Sequence, residues 1–310
     1  MDLKPFGKTD LSVSPLCLGS MQFGWTANEK VSHAVMDAFV EAGGNFIDTA
    51  DIYSNWSPGN AGGVSEEIIG RWLKARGNRD RIVVATKLRG QMWKGPDGEG
   101  LGRAHIERAI EDSLRRMQVE TIDLYQCHWP DEDMPIEETL TVFGELVASG
   151  KVRYIGASNY TAGQLGEALR VAGEKGLPPF VALQPHYNLV HRVEFEGELA
   201  SLCARDGIAV IPYSPLAGGF LTGKYREGEP LPTSQRAGQT KRHMTEQGLR
   251  VVAALDEFAT ARETTIAAVA LAWLLAKPAV VAPIIGANTP QQLADLLPAA
   301  ELRLNGEAIV

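Results

Sequence analysis

Five apolar stretches of this chain each carry, at or near their carboxyl end, a polar side chain suited to work on a carbonyl group. They are Asn45–Ala50 with Asp48, Arg81–Lys87 with Lys87, Ile122–Trp129 with His128, Tyr154–Asn159 with Asn159, and Val181–Asn188 with Gln184. Reduction of a carbonyl requires a hydride donor and an acid for the developing alkoxide. A phenol can be that acid, but its ordinary pKa of about 10 is high for the task, and a neighbouring ammonium lowers it by favouring the phenolate. Tyr53 and Lys87 would form such a pair, with Asp48 holding the lysine. His128 would donate a hydrogen bond to the carbonyl oxygen and stabilise its growing charge. Each residue also has a plainer reading: Asp48 as a turn cap, Tyr53 as a loop anchor, His128 as a core histidine. Lys87 resists one, because a lysine ending an apolar strand needs a charged partner if it points inward.

These residues share one place only if their strands run parallel with their carboxyl ends together. Eight strand candidates run through the chain: Leu16–Met21, Asn45–Ala50, Arg81–Lys87, Ile122–Trp129, Tyr154–Asn159, Val181–Asn188, Ile208–Leu216 and Val280–Ala287. Helical periodicity lies between them, as in the faces Ile106, Ile110, Leu114, Met117 and Ile136, Leu140, Phe143, Val147. Pro135 suits a first turn, Gly150 a helix end, and Thr161 with Gln164 a capping box. Continuous Val/Ile/Ala runs fit strands buried on both faces. The expectation is an α/β fold, a (β/α)8 TIM barrel in a single domain over residues 1–310, with its site at the carboxyl ends of the strands. Leu3–Phe6 and Leu11–Val13 predict an N-terminal β-hairpin.

Two connections are long, Ser54–Ser65 and Ala217–Thr245, and long loops are commonly functional. The second carries Lys224, Arg226, Arg236, Lys241 and Arg242 against Glu227 and Glu229, five minus two giving +3 in a chain of net charge −8. That suggests a phosphate ligand, with a solvated surface loop as the alternative. The overall charge leaves no footprint for nucleic acid. The longest apolar run, Ile266–Ala276, is too short to span a membrane. Cys17, Cys127 and Cys203 are scattered, and the amino terminus lacks the apolar segment of a secretion signal, so a reducing cytoplasm is expected. Cys127 should face away from His128 along the strand. Asp131-Glu132-Asp133 has no second histidine at ligand spacing and reads as a helix-starting loop rather than a metal site. Trp56, Trp93 and Trp129 fall near the proposed mouth, either lining an apolar substrate pocket or anchoring the packing.

The segments Asn45-Phe-Ile-Asp48-Thr-Ala-Asp-Ile-Tyr53, Ala85-Thr-Lys87 and Gln126-Cys-His128 resemble the catalytic tetrad segments of the aldo-keto reductases. Gly156-Ala-Ser158-Asn159, Leu183-Gln184-Pro185, Pro212-Tyr213-Ser214-Pro215-Leu216 and Ile285-Gly286-Ala287-Asn288 continue the resemblance in order over nearly the whole chain. It implies an oxidoreductase that acts on a small-molecule carbonyl and uses NADPH (NADP+), with NADH possible. Ser158, Asn159 and Gln184 would then hold the nicotinamide carboxamide, and Tyr213 would stack on the ring. Ser214, Leu216 and Gly218 would follow the pyrophosphate, with Lys224 and Arg236 gripping phosphate. Gly286, Asn288, Gln292 and Asp295 would meet the adenosine end. Gln292 stands where some family members place an arginine against the 2′-phosphate, so the preference for NADPH leans on Arg236 and Lys224. Thr289 with Gln292 also reads as a plain capping box, and Thr289-Pro290 as a helix start whose amino end suits an anion.

Three function classes remain in view. Besides the reductase there is a regulatory subunit, since potassium-channel β-subunits resemble the same family and keep the tetrad. The third is a Schiff-base aldolase or metal hydrolase built on Lys87 or His128. Many relatives continue into a closing helix and loop, whereas this sequence ends at Asn305–Val310, which leads to the expectation of an open pocket.

Overall fold

A computed structural model describes residues 1–225 and 237–304. Strands β1 (Lys4–Pro5) and β2 (Ser12–Val13) pair antiparallel as the expected hairpin. The eight remaining strands are parallel: β3 (Cys17–Gly19), β4 (Phe46–Asp48), β5 (Val83–Leu88), β6 (Ile122–Cys127), β7 (Val152–Ser158), β8 (Ala182–Gln184), β9 (Ala209–Val210) and β10 (Ile284–Ile285). Each falls inside its sequence candidate or within two residues of it. The sheet closes through residues 280–285: Val281 N–H donates to Val210 at 2.9 Å, Ile284 N–H to Pro212 at 2.9 Å, and Ile284 and Ile285 pair with β3. The result is a (β/α)8 barrel.

Helices α1 (Glu29–Glu41), α2 (Val64–Arg76), α3 (Arg103–Met117), α4 (Ile136–Ala148), α5 (Ala162–Lys175) and α6 (Glu198–Asp206) follow β3 to β8 in turn. The short α7 (Ala237–Thr240), α8 (Glu246–Ala261) and α9 (Ile266–Leu275) follow β9, and α10 (Pro290–Ala294) follows β10. The expected face of α3, Ile106, Ile110, Leu114 and Met117, is buried. Pro135 is the N-cap of α4 rather than its first residue, and Gly150, at φ 76°, lies just past its end. Thr161 and Gln164 form the capping box of α5. Helix α9 is apolar and buried almost all round, a core helix; no single described helix is long and apolar enough to cross a membrane.

Two-residue periodicity sorts the strand side chains. Outward residues such as Ile47, Val84, Tyr125, Cys127 and Leu183 pack under the helices, so Cys127 is core as expected. Inward residues Cys17, Phe46, Val83, Ala85, Leu124 and Ala182 join Phe6, Leu11 and Val13, so the hairpin plugs the amino-terminal end of the barrel. One step towards the carboxyl ends the inward positions turn polar, with Lys87 paired to Gln126 and Ser158 to Gln184 in the register. Gly156 leaves room for this layer, because a Cβ there would stand 3.2 Å from Gln126 Cγ and 3.2 Å from the Ala182 carbonyl.

Helices α2 and α3 meet through Gly70, where a Cβ would stand 2.5 Å from the Arg116 carbonyl oxygen and 2.6 Å from the Met117 carbonyl carbon. Alanine is the better helix former by about 1 kcal/mol, but these neighbours are main chain and cannot swing aside. We expect Gly70→Ala to lower unfolding free energy in urea by roughly 1–3 kcal/mol. Equal or greater stability would show that the two helices can part freely.

Candidate active site

Lys87 is completely buried inside the barrel, and its three N–H donors are all used. They go to Asp48 Oδ2 at 2.6 Å, the Thr49 carbonyl at 2.7 Å and the Tyr53 hydroxyl oxygen at 2.9 Å. Burial works against the ammonium, yet Asp48 and Tyr53 outweigh it and hold the Lys87 pKa above its ordinary value. The three side chains expected to act together do meet, but the direction at Tyr53 differs from the expected one. Burial around its oxygen raises the phenol pKa, Lys87 pulls it down, Asp48 raises it again, and the net lies above the usual value. Burial is the largest of these effects, and the carboxylate 2.6 Å from Lys87 offsets part of the lysine's pull on the phenol.

Asp48 is fixed from its other side. Gln184 donates to Asp48 Oδ1 at 2.9 Å, Gln126 donates to the same oxygen at 3.2 Å, and Gln184 also donates to Gln126 Oε1 at 3.3 Å. Sequence reasoning assigned Gln126 no role, although it stands two residues before His128 on β6 and the two-residue period alone puts it inside.

The His128 ring lies 5.9 Å from that of Tyr53, edge to face. Its Nδ1 is buried without a partner, and burial followed by the charge of Lys87 drives its pKa well below 6.5. The imidazole is neutral at physiological pH and carries one N–H to donate. Trp129 stacks on it at 3.8 Å and 12°. Trp56 lies 6.3 Å from Tyr53 and 5.6 Å from Trp25, both edge to face. Trp56 is 44% exposed and Trp129 36%. Trp25, on the loop after β3, was not anticipated; its sequence signal was only a fourth tryptophan near a strand end. Trp93 belongs elsewhere: it packs on His105 (5.0 Å) and under the Arg108 guanidinium (4.0 Å) of α3.

Beside the tetrad, Ser158 donates to the Gln184 carbonyl at 2.8 Å, and the Asn159 amide donates to the His128 carbonyl at 2.9 Å. Tyr213 donates its hydroxyl to Asn159 Oδ1 at 2.8 Å. His186 covers one face of the Tyr213 ring at 5.1 Å and 12°, and His191 stacks on His186 at 3.8 Å. The chain then turns through left-handed conformations at Ser214 (φ 51°), Ala217 (50°), Gly218 (68°) and Gly219 (100°). Such backbone forms anion-binding concavities, and a Cβ at Gly219 would stand 3.2 Å from Lys224 Nζ. Leu216 is the turn residue that accepts the Gly219 N–H at 2.9 Å. Arg236 lies outside the described residues, as do residues 305–310.

At the far end, Gly286 faces Gln22, with 3.4 Å from its notional Cβ to Gln22 Oε1, and Asn288 Oδ1 accepts from Thr26 at 2.6 Å. Thr289 caps α10 by accepting from Gln292 N–H at 3.2 Å, while Gln292 Oε1 accepts from Asn288 N–H at 2.9 Å. Gln292 thus serves the cap, and α10 is a helix of only five residues. Asp295 caps its other end, with an exposed side chain. Asp131 takes part in turns, accepting from Leu101 and Asp133 N–H, and no metal-holding group of His, Cys, Asp and Glu occurs among the described residues. The half-covered aromatic platform, the glycine cradle with its lysine and the orphaned His128 nitrogen together fit a dinucleotide.

Acid–base groups thus gather at the carboxyl mouth of a parallel barrel, with a turn of left-handed residues and Lys224 following β9. The chain is a member of the Aldo/keto reductase family, whose sequence profile matches residues 15–309. It is similar to the uncharacterized oxidoreductase YrpG of Bacillus subtilis, 38% identical over 100% of this chain and 94% of that protein. It is also similar to a probable voltage-gated potassium channel subunit beta of Oryza sativa, 33% identical over 97% and 92%. A third relative is the aryl-alcohol dehydrogenase [NADP(+)] of Phanerodontia chrysosporium, 33% identical over 96% and 81%.

The depressed His128 pKa makes a statement about stability. As pH falls below the unfolded value of about 6.5, the unfolded imidazole binds a proton and the folded one does not. Stability from this group is therefore complete above pH 6.5 and is lost as pH falls through the window down to its folded value. His186, pushed down to about 4 by burial and by His191, adds a contribution of the same sign between 6.5 and about 4. We expect the denaturation midpoint to fall from pH 7 to pH 5, and His128→Gln to flatten that fall by up to about 1.4 kcal/mol per pH unit. Identical slopes in wild type and variant would show that the folded protein protonates His128 freely.

Proposed function

We propose that this chain is a single-domain, cytoplasmic, NADPH-dependent reductase of aldehydes or ketones, reversibly an alcohol dehydrogenase. The carrying observation is the saturated Lys87 ammonium. Because Lys87 donates to the Tyr53 oxygen, the phenol keeps its own hydrogen for another acceptor, and the raised pKa keeps that hydrogen in place near neutrality. Tyr53 is then the proton donor, and Lys87 holds its oxygen and stabilises the phenolate left behind. Asp48 fixes Lys87, and neutral His128 donates to the carbonyl oxygen, orienting it and stabilising its charge. NADPH, when bound, supplies the hydride.

Ser158, Asn159 and Gln184 are the residues to hold the carboxamide, and Tyr213 is the platform for the ring. Ser214, Leu216 and Gly218 would carry the pyrophosphate, Lys224 and Arg236 the phosphates, and Gly286, Asn288 and Asp295 the adenosine end. NADPH over NADH rests on Lys224 and Arg236, since Gln292 is engaged in its cap. A Schiff-base role for Lys87 is opposed by its filled donors and raised pKa, which leave no lone pair to attack a carbonyl. Trp25, Trp56 and Trp129 around the tetrad favour a flat, uncharged aromatic carbonyl, in keeping with the relative named as an aryl-alcohol dehydrogenase.

Tyr53→Phe is expected to lower kcat about 10²- to 10⁴-fold while NADPH still quenches protein fluorescence with unchanged midpoint; full turnover would remove Tyr53 as the acid. Arg236→Ala should weaken NADPH more than NADH, and equal losses would show that this residue does not read the 2′-phosphate. Across a panel of aldehydes, kcat/KM for benzaldehydes should exceed that for straight-chain aldehydes of similar size, and Trp56→Ala should narrow the gap. No NADPH oxidation with any carbonyl would favour a binding subunit instead.

A further inference from the structure

A second buried network stands on the outer side of the strand that carries Lys87. Thr86, next to Lys87 and facing the helices, donates to Glu66 Oε1 at 2.6 Å, and Arg116 of α3 donates to Glu66 Oε2 at 2.7 Å. Glu66, in the first turn of α2, is completely buried. Asp51 shares this interior and is completely buried too. Its Oδ1 accepts from Ile52 N–H at 2.6 Å, but its Oδ2 has no partner. The hydroxyl of buried Tyr125, on β6, is also without a partner. Arg116 donates to Glu66 and Ser113, and Lys87 to Asp48, Thr49 and Tyr53, and neither donates to Asp51 Oδ2. An ionised carboxylate left there would be a buried, unpaired charge, which proteins avoid by neutralising the group. A carboxylic acid, in contrast, carries no charge to be compensated there.

The main chain of Asp51 ties the site together. Its N–H donates to the Lys87 carbonyl at 3.1 Å, and its carbonyl accepts from Gly63 at 2.6 Å, closing the loop that holds Tyr53 onto the start of α2. We propose that Asp51 is a neutral carboxylic acid and a positioning residue for Tyr53. It braces the turn bearing the phenol, and its lack of charge leaves the field of Lys87 to Asp48 and Tyr53. Four titratable groups on other elements feel the Asp51 carboxyl electrostatically: Glu66 on α2, Arg116 on α3, Lys87 on β5 and Tyr125 on β6. Burial and the charge of Glu66 raise the Asp51 pKa well above the carboxylate range, against weaker pulls from Arg116 and Lys87. Burial, with the charge of Glu66, raises that of Tyr125 likewise.

The functional half of this inference rests on Tyr53 being the proton donor, so the test has an arm that does not. An infrared difference spectrum of wild type minus Asp51→Asn should show the carbonyl stretch of a protonated carboxyl group from pH 6 to pH 8. Absence of that band overturns the proposal whether or not Tyr53→Phe retains turnover. In the pH dependence of carbonyl reduction, Asp51→Asn should keep kcat within about twofold and leave the alkaline limb in place, because one neutral group replaces another. Asp51→Ala should lose tenfold or more in kcat with little change in KM for NADPH. An alkaline limb displaced to lower pH in Asp51→Asn, on the order of one unit, would mean that a negative charge had been removed, and would equally overturn the proposal.

Discussion

The site depends on one buried ion pair. Lys87 and Asp48 meet at 2.6 Å with essentially no exposure to water. Removing either partner from such a pair typically costs about 3–5 kcal/mol, because the other is stranded as an uncompensated charge. The barrel prevents this by saturating every polar atom of the pair: three acceptors for the ammonium, and for the carboxylate the lysine on one oxygen with two glutamine amides on the other. The pair is therefore less a source of stability than a constraint on geometry. The arrangement that satisfies these groups puts the Tyr53 oxygen 2.9 Å from Lys87 Nζ.

The rest of the fold can be understood as the means of holding that layer. Beneath it the barrel interior is apolar and stopped by Phe6, Leu11 and Val13 from the hairpin, so water has no approach from the amino-terminal end. Above it the loops bring indoles and an imidazole. Along β5, Lys87 turns inward to Asp48 and Thr86 outward to Glu66, so two ionic clusters share a strand two residues thick. The dielectric environment of the phenol is set from both sides, and burial outweighs the nearby ammonium in fixing its protonation. A protonated phenol with an oxygen already bound by a cation is the state required before proton transfer to an alkoxide.

Much of this was legible in the sequence because strand periodicity and strand ends are local properties. Asp48, Lys87 and His128 end apolar runs, and a parallel barrel forces such ends together whatever their separation in the chain. What escaped was set by neighbours far away in sequence. The sign of the Tyr53 shift required knowing how deeply its oxygen is buried, and that Asp48 partly offsets Lys87. Trp93 resembled Trp56 and Trp129 as a loop aromatic, yet Arg108 and His105 of α3 claim its ring. Gln292 could serve a ligand or a cap by spacing alone, and the structure shows it accepting from Asn288. Gln126 and Trp25 were readable from period and placement but carried no chemistry of their own to draw attention.

This division also explains how one scaffold comes to be shared by relatives named as dehydrogenases and as a channel subunit. The tetrad and the cradle after β9 are built from strand ends and a glycine turn, whose geometry follows from the barrel itself. The indoles of Trp25, Trp56 and Trp129 sit on loops after three different strands, and none of them supports the Lys87–Asp48 pair. The Lys87–Asp48 layer makes its hydrogen bonds to Thr49, Tyr53, Gln126 and Gln184 and none to these indoles, so in the proposed reading the indoles can change without disturbing it. Asp51 is the exception among loop residues. Its main chain spans Lys87 and Gly63, so the loop that bears Tyr53 is anchored to the strand carrying Lys87 and to the helix carrying Glu66. That anchoring separates the short turn bearing Tyr53 from the longer outer loop that carries Trp56.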